Sequence, residues 1–381
     1  MDFDLSEEQT LLKQSVERLL GDRYGFEKRK TFQAAPEGWS RDAWSHYAEL
    51  GLLGLPFAEG HGGSAGGPVE TMIVMETLGR ALALEPYLAT VVLAGGLLRH
   101  GGSEAQQAAL VPEISAGKLV MALAHGERQA RFDLADVATR ARRDGAGWVI
   151  EGEKSLVLHG DSAEKLIVSA RIGGERTARQ GIALFLVDAA AQGVSRRAYP
   201  TQDGMRAAEI SLASVRVGAD AALGEPGGGL SLVERVAQEA IAALAAEAVG
   251  AMAALVDLTV EYLKTRKQFG VAIGSFQALQ HRASDMLIAL EQARSMALLA
   301  TMMAASEDAA ERRKTMAAAK VQIGRSGRFV GQQAVQLHGG IGMTMEYKAG
   351  HYFKRLAMID TMFGDADHHL RALARAGGLL A

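Results

Sequence analysis

From Gly229 onward the chain keeps a helical hydrophobic period over residues 232–265, 276–305, 309–337 and 365–376, rich in Ala, Leu and Met. Helices so much longer than the usual three or four turns are stable only when an apolar face is packed. Four such seams imply a bundle. Most of the methionines fall here, where an unbranched, polarisable side chain fills gaps in a core. Faces this apolar also imply association with another chain.

The break between the first two helical runs, Tyr262 to Gln280, holds a cation, an amide, an aromatic ring and two glycines: Arg266, Gln268, Phe269, Gly270 and Gly274. Arg266 offers a planar fork of donors that matches phosphate. Phe276 and Gln277 open the next helix, with Ser275 as the expected cap. A helix N-terminus there adds N–H groups and a positive dipole end. Phe269 and Phe276 are suited to walling in a flat ring. Taken singly, the stretch reads more readily as a solvated arginine beside two core phenylalanines. A second stretch changes the weighting. Gln336-Leu-His338-Gly339-Gly340-Ile-Gly342-Met-Thr also follows a helical run, and its glycines let a backbone approach a ligand closely.

At this separation the two stretches resemble the acyl-CoA dehydrogenase family, and the resemblance covers nearly the whole chain. It implies an α+β fold: an N-terminal α-domain, a middle β-domain forming a small barrel or sandwich, and a C-terminal four-helix bundle. It also implies FAD as cofactor, an acyl-CoA substrate and electron-transferring flavoprotein as acceptor. The assembly expected is a homo- or hetero-oligomer arranged as a dimer of dimers. In that family the two stretches of one subunit hold the pyrophosphate and adenosine half of a neighbour's FAD. The cofactor residues implied here are Arg266, Gln268, Phe269, Ile273, Phe276, Gln277, Gln280, Gln336, Gly339 and Gly340.

The remainder of the chain fits that division as residues 1–117, 118–225 and 226–381. Ser6-Glu-Glu-Gln9 is a capping box ahead of a helical face at Leu11, Leu12, Val16, Leu19 and Leu20. Six short helices are expected before residue 117, among them 39–50, 71–84, 88–100 and 104–110. The Gly-rich stretch around Gly62 and Gly63 lacks the Lys-Ser/Thr of a phosphate loop and reads as a structural turn. Beyond Gly117, segments 119–124, 138–142, 148–151, 155–158, 165–170, 182–187 and 208–217 are short and partly alternating, which suits a small antiparallel β-domain. Gly145 supports a tight turn before Trp148.

Composition excludes several classes. With 41 Lys and Arg against 44 Asp and Glu, the net charge of −3 gives no footprint for nucleic acid. The absence of cysteine removes disulfides, thiol nucleophiles and Cys-based metal sites. His159, His338 and the His368-His369 pair have no companions at metal-ligand spacing. The start, Met1-Asp-Phe-Asp4, is unlike a targeting peptide, and no uninterrupted apolar run is expected to span a bilayer. A cytoplasmic location is therefore expected.

The catalytic positions implied by the resemblance are altered. An α,β-dehydrogenation needs a carboxylate against Cα, donors to the thioester carbonyl, and a flavin over Cβ. Phe363, in Met362-Phe-Gly-Asp365, stands where the family's usual glutamate base lies. The alternative base position corresponds to Ala240, and the neighbouring substrate-side arginine to Ile241. Glu239 is turned about 100° away on a helix, and Glu247 lies about 10 Å further along it. These two and Asp365 are the fallback carboxylates, although Asp365 and Asp367 read better as helix caps. His125-Gly-Glu127-Arg128 replaces a Thr-Glu-Pro stretch, and Val157-Leu158-His159 replaces Ile-Thr-Asn, removing a hydroxyl that faces the flavin.

The resulting expectation is the base-lacking subunit of a heteromeric dehydrogenase, resembling small subunits of the pimeloyl-CoA dehydrogenase type, with a larger catalytic paralogue as partner. Competing readings are a self-sufficient homo-oligomeric dehydrogenase and a flavin-free structural or acyl-CoA-binding paralogue.

Overall fold

The computed structural model describes residues 4–377. In chain order its elements begin with helices α1 (Glu7–Arg23), α2 (Phe26–Ala34), α3 (Arg41–Glu49), α4 (Pro68–Ala81), α5 (Gly95–Gly101) and α6 (Glu104–Ser115). Strands β1 (Met121–Ala124), β2 (Arg140–Asp144), β3 (Gly147–Leu158), β4 (Lys165–Arg171), β5 (Ile182–Asp188), β6 (Val194–Pro200), β7 (Arg206–Val217) and β8 (Ala222–Gly227) follow. The chain continues through α7 (Gly229–Thr265), the short strands β9 (Lys267–Gln268) and β10 (Val271–Ala272), then α8 (Gln277–Ala304), α9 (Ala309–His338), α10 (Lys348–Thr361) and α11 (Ala366–Arg375). N-terminal helices, a middle sheet and a helical C-terminal region follow one another along the chain, the α+β division expected from the sequence.

Two compact units result. One comprises the chain through Lys30, Pro68–Ala83 and everything from Ile241; the other comprises Thr31–Gly67 and Leu84–Ala240. The division falls inside α7.

In the first unit, the predicted capping box holds: the Ser6 hydroxyl accepts from the Gln9 N–H, and the Ser6 N–H donates to the Gln9 side-chain oxygen. Helices α4 and α7 meet glycine against backbone. A Cβ on Gly250 would lie 1.8 Å from the Glu76 carbonyl oxygen, and one on Gly79 would lie 2.0 Å from that of Glu247. Nothing larger than glycine fits either position without separating the helices. Buried Lys320 donates to the carbonyls of Ile359 (2.6 Å) and Asp360 (3.0 Å), terminating α10. Helix α10 adds a fifth helix to the four expected. Its buried face includes His351, Arg355 and Asp360 as well as Tyr352, Leu356 and Ile359, so its apolar period is interrupted in the sequence. Contrary to the reading of apolar runs, α7 is long and apolar enough to cross a bilayer. However, 78% of its apolar window is buried inside the protein, the signature of a core helix.

The second unit is built on a mixed sheet of order β6-β7-β3-β2-β4-β5-β8, with β1 paired to β4. The sheet is not wholly antiparallel as expected: β1 runs parallel to β4. The segments read as 148–151 and 155–158 are one strand, β3, bent by register shifts against β7 at Ile150/Gly152 and Lys154/Val157. At the second shift Leu156 takes φ +53°, so two residues face one on the partner strand. The expected helix 88–100 begins instead as a fully buried π-helical segment, Leu88–Ala94, before α5. Thr90 in that segment is tied to β1, its hydroxyl donating to the Met121 carbonyl at 3.0 Å.

Candidate functional site

The Arg266 stretch folds as a miniature hairpin between α7 and α8. Gln268 pairs with Val271 and Lys267 with Ala272. The two connecting residues, Phe269 and Gly270, have φ +54° and +84°. A two-residue turn with both central φ positive matches the twist of the strands it joins. The Arg266 amide donates to the Tyr262 carbonyl (2.8 Å) and the Ile273 amide to the Arg266 carbonyl (2.8 Å), which closes the hairpin onto the end of α7. Ser275 does not cap α8. Its hydroxyl donates to the Ala272 carbonyl at 2.7 Å within a single 3₁₀ turn, and Phe276 takes the N-cap position without a side-chain bond to the helix. The hydroxyl is diverted because that turn offers a nearer acceptor.

Arg266, Gln268, Gln277 and Gln280 are exposed, while Ile273 is half-buried. The Gln280 amide donates to the Gly274 carbonyl at 2.8 Å. Phe269 is 91% exposed and meets Phe276 edge to face, with ring centroids 6.1 Å apart. The second stretch ends α9 in the same unit. Gln336 is exposed, and its carbonyl accepts from the Gly339 amide, which has φ +63°. Open space lies beyond the Cα of Gly270, Gly339 and Gly340. A solvent-facing guanidinium, two aromatic rings, carboxamides and unshielded backbone are a donor set that fits an anionic nucleotide such as the FAD pyrophosphate.

A link the sequence did not reveal joins the two stretches. Tyr262 packs on the His338 ring, centroids 4.6 Å apart, and His338 on Tyr347 at 5.1 Å. Aromatic residues 76 positions apart carry no local signal, although the Tyr-x₃-Arg and His-Gly-Gly spacing placed each beside its turn.

The catalytic positions look different. Phe363 has φ +56° in the turn between α10 and α11. Its ring packs on a buried cluster of Ile241, Ala242, Ala300, Ala304, Met316 and Ala319, beside Met296 and Met303. Ala240 and Ile241 are themselves buried. Each fallback carboxylate is engaged elsewhere. Buried Glu247 receives two hydrogen bonds from Arg355, 2.5 and 2.8 Å long. Glu239 meets Arg99 at 2.5 Å, His100 at 2.7 Å and Arg235 at 3.1 Å. Burial alone would raise the Glu239 carboxyl pKa; the His100 hydrogen bond and the Arg99 charge outweigh it and hold the group below the usual range. Asp365 caps α11, accepting from the His368 amide at 2.7 Å. The His369 Nε2 donates to the Phe363 carbonyl at 2.9 Å, and burial lowers the imidazole pKa to about 4.

In the sheet unit, Leu158 ends β3 opposite Ala207, and His159 follows, buried at φ +50°. Two residues upstream of the bulge, buried Lys154 pairs with Glu127 at 2.6 Å and donates to the Ser169 hydroxyl at 3.0 Å. Glu127 also accepts the amides of Ala138 (2.7 Å) and Thr139 (3.1 Å). Desolvation opposes the ionised carboxyl, yet the Lys154 charge and these bonds bring its pKa down to about 2. The pair fastens β3 to the loop after β1, a structural role for Glu127 that the sequence did not reveal.

One unit is a helical scaffold bearing an exposed hairpin suited to an anionic nucleotide, and the other is built on a mixed sheet. Comparison with known proteins makes this specific. The acyl-CoA dehydrogenase N-terminal, middle and C-terminal domain models match residues 6–118, 122–215 and 227–378. The chain belongs to the acyl-CoA dehydrogenase family, oxidoreductases that act on acyl-CoA. It is 30% identical over 352 residues to acyl-CoA dehydrogenase FadE12 of Mycobacterium tuberculosis, covering 91% of this chain and 89% of that one. It is 28% identical to a Bacillus subtilis protein named probable acyl-CoA dehydrogenase YngJ, over 98% of this chain and 99% of the other. Among solved structures, the ChsE4-ChsE5 complex from Mycobacterium tuberculosis superposes with TM-score 0.89 at 26% identity, covering all of both chains. A variant of the Tcur3481-Tcur3483 steroid ACAD superposes with TM-score 0.87 at 29% identity, covering 97% of each. PigA with FAD and proline superposes with TM-score 0.91 at 25% identity, again over both full chains. The family and the FAD-containing PigA structure imply FAD as the cofactor.

Proposed function

We propose that this chain is the base-lacking subunit of a heteromeric, FAD-dependent acyl-CoA dehydrogenase, a role like that of the small subunit of pimeloyl-CoA dehydrogenase, and that a larger paralogue carries the catalytic carboxylate. One contrast carries the reading. The base position is a phenylalanine packed on aliphatic side chains, and Glu239, Glu247 and Asp365 are all committed to other contacts, whereas the hairpin and glycine stretch keep an open donor set. A general base must be free to take a proton at the reacting carbon; none of these carboxylates is.

Arg266 would bind the FAD pyrophosphate, Phe269 and Phe276 would flank the adenosine end, and Gly339 and Gly340 would admit it to the backbone. Gln268, Gln277, Gln280 and Gln336 supply hydrogen-bonding carboxamides beside them. Bound FAD would supply the hydride acceptor; this chain's residues hold its phosphate end for a neighbour. Both the ChsE4-ChsE5 complex and the Tcur3481-Tcur3483 ACAD are named as pairs of chains, which favours a pairing here. Electron-transferring flavoprotein is the acceptor we assign by the family resemblance.

The test is co-expression with a longer acyl-CoA dehydrogenase paralogue, followed by flavin spectrum, subunit stoichiometry and turnover. The reading predicts a mixed complex that binds FAD and turns over acyl-CoA while this chain alone does not. A homo-oligomer of this chain with full turnover would overturn it.

A further inference from the structure

We infer that His338 is a positioning residue that holds the Arg266 hairpin and the Gly339–Gly340 turn together as one body; its consequence for a nucleotide rests on the cofactor reading above. The ring lies between Tyr262 and Tyr347, at centroid distances of 4.6 and 5.1 Å. Tyr262 is tied directly to the hairpin, because its carbonyl accepts the Arg266 amide at 2.8 Å. His338 immediately precedes Gly339, so any movement of the ring is transmitted to the glycine turn. Tyr347 stands at the far end of the same segment, just before α10. There the His351 Nε2 donates to the Met345 carbonyl at 3.0 Å and fixes the segment's other end.

The chemistry of the ring supports a positioning role over simple space-filling. Nδ1 donates to the Ala334 carbonyl at 2.8 Å, which selects one tautomer and orients the plane. Nε2 is buried and makes no well-formed hydrogen bond, although the backbone of Leu258 on α7 lies close to the ring. An acceptor removed from water without a partner is unfavourable; an apolar side chain would fill the space without that penalty. What an aliphatic residue would not provide is the oriented, flat, two-sided contact. Two aromatic contacts of this kind couple elements that share no backbone hydrogen bond.

Hydrogen exchange on the full chain, without cofactor, tests the coupling. In His338→Ala, amides of residues 266–273 and of residues 339–345 should both exchange about three- to tenfold faster, with the sheet at residues 121–217 unchanged. His338→Phe, which restores the ring but not the imidazole nitrogens, should return both segments toward wild type. Should the alanine variant not fold, Tyr347→Leu removes one ring contact from the other side and carries the same expectation. Faster exchange confined to residues 339–345, or no change in either segment, overturns the proposal. FAD titration of the assembled complex separates the two claims: coupled loosening with weaker FAD retention supports both, while coupled loosening with unchanged FAD affinity supports the positioning role and counts against the nucleotide reading.

Discussion

Phe269 and Phe363 occupy the same kind of place and have opposite surroundings. Each sits in a tight turn between helices of the same unit, with φ +54° and +56° and a glycine following. Left-handed backbone at a residue with a Cβ is unfavourable by about 1–2 kcal/mol. At Phe363 the ring is packed on Ile241, Ala300, Met316 and their neighbours, so burial offsets the strain. At Phe269 the ring is 91% exposed, and its edge-to-face contact with Phe276 buries little surface to offset the strain. Strained, exposed aromatics point outward to a ligand or another chain. The same residue type thus closes one site and leaves the other open, which is the asymmetry expected of a subunit that lends a cofactor grip but not a base.

The contrast is sharpest if the buried carboxylates are structural. Glu247→Gln leaves the Arg355 guanidinium buried beside a neutral partner and should destabilise the fold by about 3–5 kcal/mol, read as a large fall in denaturation midpoint. Turnover of the assembled complex should stay within a few-fold. A loss of about 10²–10⁴ in turnover at intact stability would make Glu247 a base and break the comparison. On the open side, Arg266→Ala should weaken FAD binding by about one to two orders of magnitude, the worth of a charge-assisted contact of about 1.5–3 kcal/mol. Equilibrium titration of the complex reads this directly, and unchanged affinity would remove Arg266 from the site.

Acid should act on the closed side through His369. His369 is held neutral beneath the Phe363 turn, its pKa lowered to about 4 mainly by desolvation. The unfolded chain takes up a proton at its ordinary pKa near 6.5, while the folded chain resists. The stability this group contributes is therefore complete above that value and is lost as the pH falls toward 4. His369→Gln should flatten that part of the stability profile; an identical profile would exclude His369 as its source. The smallest effect is expected for Asp365→Ala, about 1 kcal/mol from loss of the α11 cap, with turnover of the complex unaltered.

Much of the fold was legible because its signals are local. The capping box at Ser6, the Asp365 cap and the long C-terminal helical periods are set by residues within a turn or two. The hairpin was located by sequence, yet its cap was misassigned because a hydroxyl's choice between two nearby acceptors depends on the bend at Ile273–Ser275. Strand β6 escaped notice since Ser195, Arg196, Arg197 and Ala198 are all exposed on a sheet edge and show no alternation. Helix α10 escaped because it buries His351 and Arg355, whose partners lie far off in sequence. The same distance hid the Lys154–Glu127 pair and the His338 stack. Phe363 was recognised as a loss by resemblance alone; that its place is filled by packing needed coordinates.

The central claim is that this chain has no catalytic base and that more than the base is missing. It is tested by a steady-state assay of the purified chain and of Phe363→Glu, with FAD and an artificial electron acceptor, over short, long and dicarboxylic acyl-CoAs. The account predicts negligible turnover by both, because Ile241 and Leu158 still replace the polar groups that would serve substrate and flavin. Robust turnover by the wild-type chain alone would contradict the account, and rescue by the single substitution would show that only the base had been lost.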